Sequence, residues 1–409
     1  MFNRETPLAQ ALASTDFLRL WIAGLCAGVM RWLEILAVGV YTLEVTGSAF
    51  TVALMYFART VPTIFGGPVC GALAERLNRK HMYAIGVSVM LLVSVALAVL
   101  AWTGSLQLWH VATGAVLSGI VWSMEHTVRR TVARDVVPPG AVGNAISLDT
   151  SSQNATRMLG PLIGGALMAV IGLQGAYALG VLFYGVSLLL VLTLAAVPAG
   201  SPGRAPSFLS GLWSGLLHAA ENRLVGGVLI VTIVMNLLGF PYLSMVPVIG
   251  RDTLGLSPTG VGALMAAEGV GAVLGGLLLA IVVKRRHYPR IFAFGSVLFM
   301  AMMIAFAYTA TSFTAAGALL AAGLGLGCFA AMQSTILLTA CAPAMRGRVM
   351  GMLVVTIGAG PFGVLILGAL AERIGANTAL SITSGIGLFT LIASLILWRE
   401  LLAPMPEPA

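Results

Sequence analysis

Residues 49–80 read AFTVALMYFARTVPTIFGGPVCGALAERLNRK. From Ala49 to Leu73 the only charge is Arg59; then Glu75, Arg76, Arg79 and Lys80 follow in quick succession. An apolar run of about 25 residues ended by a basic cluster is the pattern of a helix that crosses a bilayer and stops at its cytoplasmic surface.

The same pattern recurs along the chain. Of 409 residues, 59% are hydrophobic and 9% are charged, against about 25% charged in an ordinary soluble domain. The mean hydropathy is +0.99. Such a composition cannot dress a soluble surface, which excludes a soluble globular enzyme and a disordered chain. Apolar stretches fall at about 17–43, 49–73, 82–102, 106–128, 142–170 and 174–197. After the Gly/Pro/Ser-rich AGSPGRAPSF they resume at about 223–248, 258–283, 289–310, 312–340, 350–370 and 378–399. All twelve read as helices, because in hydrocarbon the backbone must satisfy its own hydrogen bonds and no barrel-like alternation is present. The expected domains are a six-helix bundle at 1–198, a cytoplasmic linker at 199–222 and a second six-helix bundle at 223–409.

The net charge of +8 comes from 22 Lys+Arg and 14 Asp+Glu. The basic residues sit in short loops and read as orientation signals, not as a nucleic-acid surface. Loops after even-numbered spans hold Arg76, Arg79, Lys80, Arg129, Arg130, Arg134, Arg204, Arg223, Lys284, Arg285, Arg286, Arg290, Arg346 and Arg348. Loops after odd-numbered spans hold Arg251 and Arg373. That asymmetry puts the even loops and both termini in the cytoplasm. The first apolar run is too long for a cleaved signal peptide. Cys26, Cys70, Cys328 and Cys341 have no metal-ligand spacing, and a disulfide framework is not expected.

The chain also repeats itself. Gly160-Pro161 in span 5 and Gly360-Pro361 in span 11 lie 200 residues apart, each after a Pro-containing loop. Two six-span halves in parallel register are one way transporters build a central site.

The run Gly71-Ala-Leu-Ala-Glu75-Arg76-Leu-Asn78-Arg79-Lys80 resembles the loop 2–3 signature of the major facilitator superfamily, G-x-L-A-D-R-x-G-R-K. Glu75 replaces the usual Asp, and Asn78 replaces a Gly, as the best non-glycine residue for a left-handed turn. The resemblance covers essentially the whole chain. It implies twelve transmembrane helices in two pseudo-symmetric bundles. It also implies that Gly71, Glu75, Arg76, Arg79 and Lys80 form a cytoplasmic latch holding the outward-facing state. Physically, a carboxylate near another helix's positive N-terminus gains about 0.3–1 kcal/mol. The alternative is a plain basic stop-transfer cluster. The hexapeptide GALAER recurs at 368–373, after span 11 and out of register with the half-chain repeat. It reads as a helix end with an incidental match.

Gly160, Pro161, Gly164 and Gly165 resemble the second half of the antiporter-like G-x3-G-P-x2-G-G motif, with Ser147 and Thr156 at the upstream glycine positions. Together with Arg346-Gly-Arg348-Val before span 11, this segment is similar to the enterobactin-exporter-like and macrolide-efflux-like branch. The arginine that many proton antiporters carry midway in span 4 is missing from the run Ala112–Gly119. This departs from the family pattern, and a proton mechanism that needs that arginine is not expected here.

Ionisable groups inside spans cost at least about 2.5–3.5 kcal/mol each, so each is a functional candidate. Glu34 is the first choice as proton-coupling group, since desolvation and a neighbouring Arg31 pull its proton affinity in opposite directions. The alternative is a permanent Arg31–Glu34 pair. Asp149, with Arg157, is the second candidate. Glu125 and His126 read as part of a cytoplasmic network with Arg129 and Arg130. Arg31, Arg59, Asn154, Arg157, Asn236, Glu268 and Gln333 are candidate substrate or cavity residues, Arg59 and Arg157 needing an acid, a wet cavity or an anionic solute. Met235, Met245, Phe240 and Tyr242 suggest an apolar wall in the second half.

The reading is a secondary active transporter of the bacterial inner membrane, monomeric among its lipids, exporting a small organic molecule against a proton gradient without a cofactor or metal. The solute would be siderophore-like or drug-like. The alternatives are uptake or flipping of another solute, such as a siderophore or lysophospholipid, and a non-transporting receptor or assembly protein. No HExxH, no G-x-S-x-G and no His pair at metal spacing supports a membrane enzyme.

Overall fold

A computed structural model describes residues 7–64, 66, 78–195, 216–217, 219–342 and 345–405. Among them the secondary structure is helical throughout. The elements are α1 (Pro7–Ala13), α2 (Thr15–Thr46), α3 (Ala49–Thr60), α4 (Arg79–Trp102), α5 (Leu108–Asp135), α6 (Val142–Ile171) and α7 (Leu173–Leu192). They continue with α8 (Arg223–Val234), α9 (Tyr242–Val248), α10 (Pro258–Val282), α11 (Tyr288–Ala307), α12 (Ser312–Ala340), α13 (Arg346–Ile357), α14 (Gly360–Ile374) and α15 (Ala376–Leu397).

Ten helical stretches among the described residues are long and apolar enough to cross a membrane, with a shorter apolar helix at Ala49–Ile64. α5 falls outside the ten although it has 28 residues; it is interspersed with polar and small residues such as His110, Thr113, Ser118 and Ser123, and its last turns carry Glu125, Arg129, Arg130, Arg134 and Asp135. Prolines shape the seventh span. Pro241 and Pro247 offer no N–H to the preceding turn, and π-turns at Met235–Gly239 and Ile249–Thr253 flank α9. The two Gly-Pro pairs behave differently despite their matching positions. Pro161 lies inside the continuous α6, whereas Pro361 stands in the first turn of α14, after a break at Gly358–Ala359.

The chain divides into two compact units, Met1–Tyr41 with Ala58–Arg204, and Thr42–Phe57 with Ala205–Ala409. In the first, α4 packs on α5 and α7. In the second, α12 packs on α10 and α11. The α10–α12 crossing is made by small residues: a Cβ on Gly323 would collide with the Glu268 carbonyl oxygen, and one on Gly271 with the Leu320 carbonyl oxygen. Without a hydrophobic drive between helices in lipid, such close backbone approach supplies the packing energy. Phe240, Tyr242, Phe292, Phe299 and Phe329 form an aromatic cluster in the same unit. Met235, Met245 and Tyr242 are fully buried there, so they fill the core of the unit and do not stand as an open wall.

Gly323→Val should therefore lower the melting midpoint of the purified protein, at about 1–3 kcal/mol for overpacking. Gly185→Ala, in α7 with open space around it, should leave the midpoint unchanged or raise it. Equal losses for both would contradict the packing account.

Candidate functional site

α2 presents Met30, Leu33, Glu34 and Ala37 as a buried stripe at helical spacing. Glu34 is 5% exposed. Its Oε2 accepts from Arg59 Nη1 at 3.1 Å and from Ser118 Oγ at 3.1 Å, and its Oε1 accepts from Tyr184 Oη at 3.0 Å. One carboxylate therefore joins α2 to α3, α5 and α7. Arg59 also donates from Nη2 to the Arg31 carbonyl oxygen at 3.3 Å. A buried carboxylate is tolerated when it is paired and its lone pairs are filled.

Glycines make the approach possible. A Cβ on Gly119 would collide with the Arg59 carbonyl oxygen, so α5 can come against the backbone of α3 one residue after Ser118. On the other side, a Cβ on Gly160 would stand 2.6 Å from the Val29 carbonyl oxygen, and one on Gly164 2.7 Å from Leu33 Cγ. Gly160 and Gly164 thus seat α6 against the turn of α2 that precedes Glu34. Pro161 and Gly165 are also buried.

A second group lies toward the C-terminal end of α5. Arg31 Nη2 reaches Glu125 Oε2 at 3.4 Å, Arg129 Nε lies 3.7 Å from Glu125 Oε1, and Arg129 Nη1 binds Asp149 Oδ1 at 2.6 Å. Arg129 is 3% exposed. A Cβ on Gly24 would collide with its guanidinium, so that glycine opens α2 for the arginine. Arg31, Arg59 and Arg129 together face Glu34, Glu125 and Asp149, and the network is charge-neutral. Between the two groups lies a cavity of about 20 Å³ lined by Arg31, Arg59, Ser118, Trp122, Glu125 and Tyr184, room for about one water molecule.

The pairings differ from those the spacing suggests. Glu34 goes to Arg59, not to Arg31 one turn away, and Arg31 turns to Glu125 and lies 5.3 Å from the Trp122 ring centroid. Asp149 goes to Arg129. Arg157 stacks over Trp32 at 4.6 Å, a cation–π contact. Asn154 is exposed on α6. In the second unit, Gln333 Nε2 donates to Thr232 Oγ1 at 2.9 Å and Asn236 Nδ2 to the Thr232 carbonyl oxygen at 2.9 Å. Glu268 is 2% exposed on α10.

Of the loop 2–3 signature, Gly71, Glu75 and Arg76 lie outside the described residues. Asn78 has φ −65° and ψ 117°, extended and not left-handed. It caps α4, its side chain accepting from Lys80 N at 3.0 Å. Asparagine suits this position because its oxygen satisfies an otherwise unpaired N–H. Arg79 binds Asp135 at 2.6 Å, and Lys80 donates to the Leu194 carbonyl oxygen at 2.5 Å.

Sequence reasoning missed Ser118 and Tyr184. Tyr177 and Tyr184 stand seven residues apart, on one face of a largely apolar helix, which is the signal that could have found Tyr184; a serine among the small residues of span 4 carries no such signal. Arg129, four residues after Glu125, was legible as a same-face pair.

The model of the transmembrane secretion effector family of the major facilitator superfamily matches residues 6–407. The chain belongs to that family. It is a membrane transporter and not an enzyme. The multidrug efflux pump Tap of Mycolicibacterium fortuitum is 26% identical over 86% of this chain and 88% of its own length. The staphyloferrin A transporter of Staphylococcus aureus is 22% identical over 65% of this chain and 68% of its own. The crystal structure of the nucleoside transporter NupG superposes with a TM-score of 0.72 at 14% identity, covering 94% of this chain and 99% of that one, a likeness of fold. The resemblance to the efflux-like branch of the superfamily therefore holds.

Arg59→Ala in this transporter leaves Glu34 buried without its cation. It should destabilise the detergent-purified protein by about 3–5 kcal/mol. The double variant Arg59→Met with Glu34→Leu should recover most of the lost melting temperature. Strictly additive losses would show that the two side chains do not interact.

Proposed function

We propose that this transporter is a twelve-span, two-bundle exporter of the bacterial cytoplasmic membrane, with both termini in the cytoplasm. It works as a monomer by alternating access, without a cofactor, driven by inward proton flow. Glu34 carries the proton. The observation that supports this is that Glu34 holds Arg59, Ser118 and Tyr184 at once. A proton on that carboxylate removes the charge that binds Arg59 and weakens the anchor of α2 to three neighbouring helices. Protonation is thereby wired to helix position, which is what coupling requires. Asp149, which binds Arg129, is the second candidate.

The neutral network also bears on the solute. Arg31, Arg59 and Arg129 already face carboxylates, so they offer no standing positive site for an anion. That favours a neutral or cationic drug-like molecule, in keeping with the name of the Tap relative. The staphyloferrin A relative supports a second reading, a siderophore.

Inverted membrane vesicles with an imposed acid interior should accumulate a hydrophobic cationic dye, and a protonophore should abolish this. Glu34→Gln should cut the gradient-driven uptake at least tenfold while dye exchange at equal pH persists. Unchanged gradient-driven uptake in Glu34→Gln would remove Glu34 from the mechanism. Uptake only with the gradient reversed would mean import.

A further inference from the structure

The second GALAER copy, at 368–373, ends α14 and has a partner. Glu372 Oε2 accepts from Ser48 Oγ at 3.0 Å and from Phe50 N at 3.1 Å. Ser48 Oγ in turn accepts from Thr51 N at 3.0 Å. The start of α3 therefore has one free N–H filled by its own Ser48 and another by a carboxylate 322 positions away. The hairpin turns at Gly47, φ 62°. Beside it Arg251 Nη2 binds Glu44 Oε1 at 2.7 Å. A Cβ on Gly368 would collide with Ala53 Cβ and lie 3.6 Å from Phe50 Cα. Along α14 from Gly368 to Glu372, the contacts run back along α3 from Ala53 to Ser48, so the two helices are antiparallel.

Thr42–Phe57 thus packs with the second-half helices, although by sequence it is the first interspan hairpin. Its bonds are of a releasable kind. Glu44 and Glu372 are exposed, and exposed ion pairs and helix-end charges are individually weak. By sequence, the first GALAER copy ends the span that α3 begins.

We propose that Glu372, on the N-terminus of α3, together with Arg251 on Glu44, is a latch that holds the hairpin Thr42–Phe57 closed at the end of the molecule away from the arginine-rich loops. Its release opens that end during the transport cycle. The match at 368–373 is then functional, not incidental. The proposal rests on alternating access but not on proton coupling or on the identity of the solute.

The test uses the full chain with Cys26, Cys70, Cys328 and Cys341 replaced by Ser. Spin labels go at Val45→Cys and Thr378→Cys, both exposed positions, in liposomes without solute or gradient. Double electron–electron resonance should show a minor long-distance population. Glu372→Ala should raise its ratio to the short population about two- to fivefold, the size expected of one charge at a helix end. Arg251→Ala should add to it, and Glu372→Gln should fall between. An unchanged distribution in the Glu372→Ala, Arg251→Ala double variant would overturn the latch. Independently, a Ser48→Cys, Glu372→Cys disulfide should block dye transport, with dithiothreitol restoring it. Full transport through the cross-linked protein would also overturn it. Because the distances are read without transport, failure of the export reading leaves this result intact.

Discussion

A single carboxylate in the apolar interior sets the terms for the first unit. Glu34 must be paired where it lies, since an unpaired charge in that setting costs several kcal/mol. Satisfying it recruits Arg59 from α3, Ser118 from α5 and Tyr184 from α7. Those three contacts require three helices to stand at fixed distances from α2. The glycines at 119, 160 and 164 then follow from the same demand, because any side chain there would push α3 or α6 away from the crossing. Packing and electrostatics in this unit are one constraint expressed twice.

The second unit is built on the other principle. Its α10–α12 crossing relies on Gly271 and Gly323, and its interior on an aromatic cluster, with Gln333, Thr232 and Asn236 as a small neutral polar group. The uneven placement of charge gives the two units different tasks. The first holds the buried ion-pair network of Glu34, Glu125 and Asp149 with Arg31, Arg59 and Arg129. The second holds a rigid apolar body to which the hairpin at Thr42–Phe57 is fastened by weak, exposed bonds.

Much of this was legible in the sequence. Helical class, span positions and the candidate charges follow from hydropathy and from the cost of ions in lipid. The loop 2–3 signature pointed to the superfamily. The choice of partners was not legible. Arg31 and Glu34 are one turn apart, but partner choice depends on which helix faces which side, and α3 delivers Arg59 to the nearer position. Asn78 likewise looked like a glycine substitute for a left-handed turn, while the helix it precedes needed a cap. Glu372 was discounted because the half-chain repeat predicts a partner after span 8. Its bonds to Ser48 and Phe50 lie outside that repeat, between the end of α14 and the start of α3. Span 4 shows the converse limit: its helix is present, but interspersed polar and small residues together with Glu125 lower its hydropathy.

The central claim is that the Glu34 carboxyl itself gains and loses the transported proton. Infrared difference spectroscopy on the protein in lipid, stepped between acid and alkaline buffer, reads this directly. A protonated-carboxyl band should appear in the wild type, shift when glutamate is carbon-13 labelled, and vanish in Glu34→Gln while the bands of other acids remain. A difference spectrum that keeps the band in Glu34→Gln would place the proton elsewhere and contradict the account.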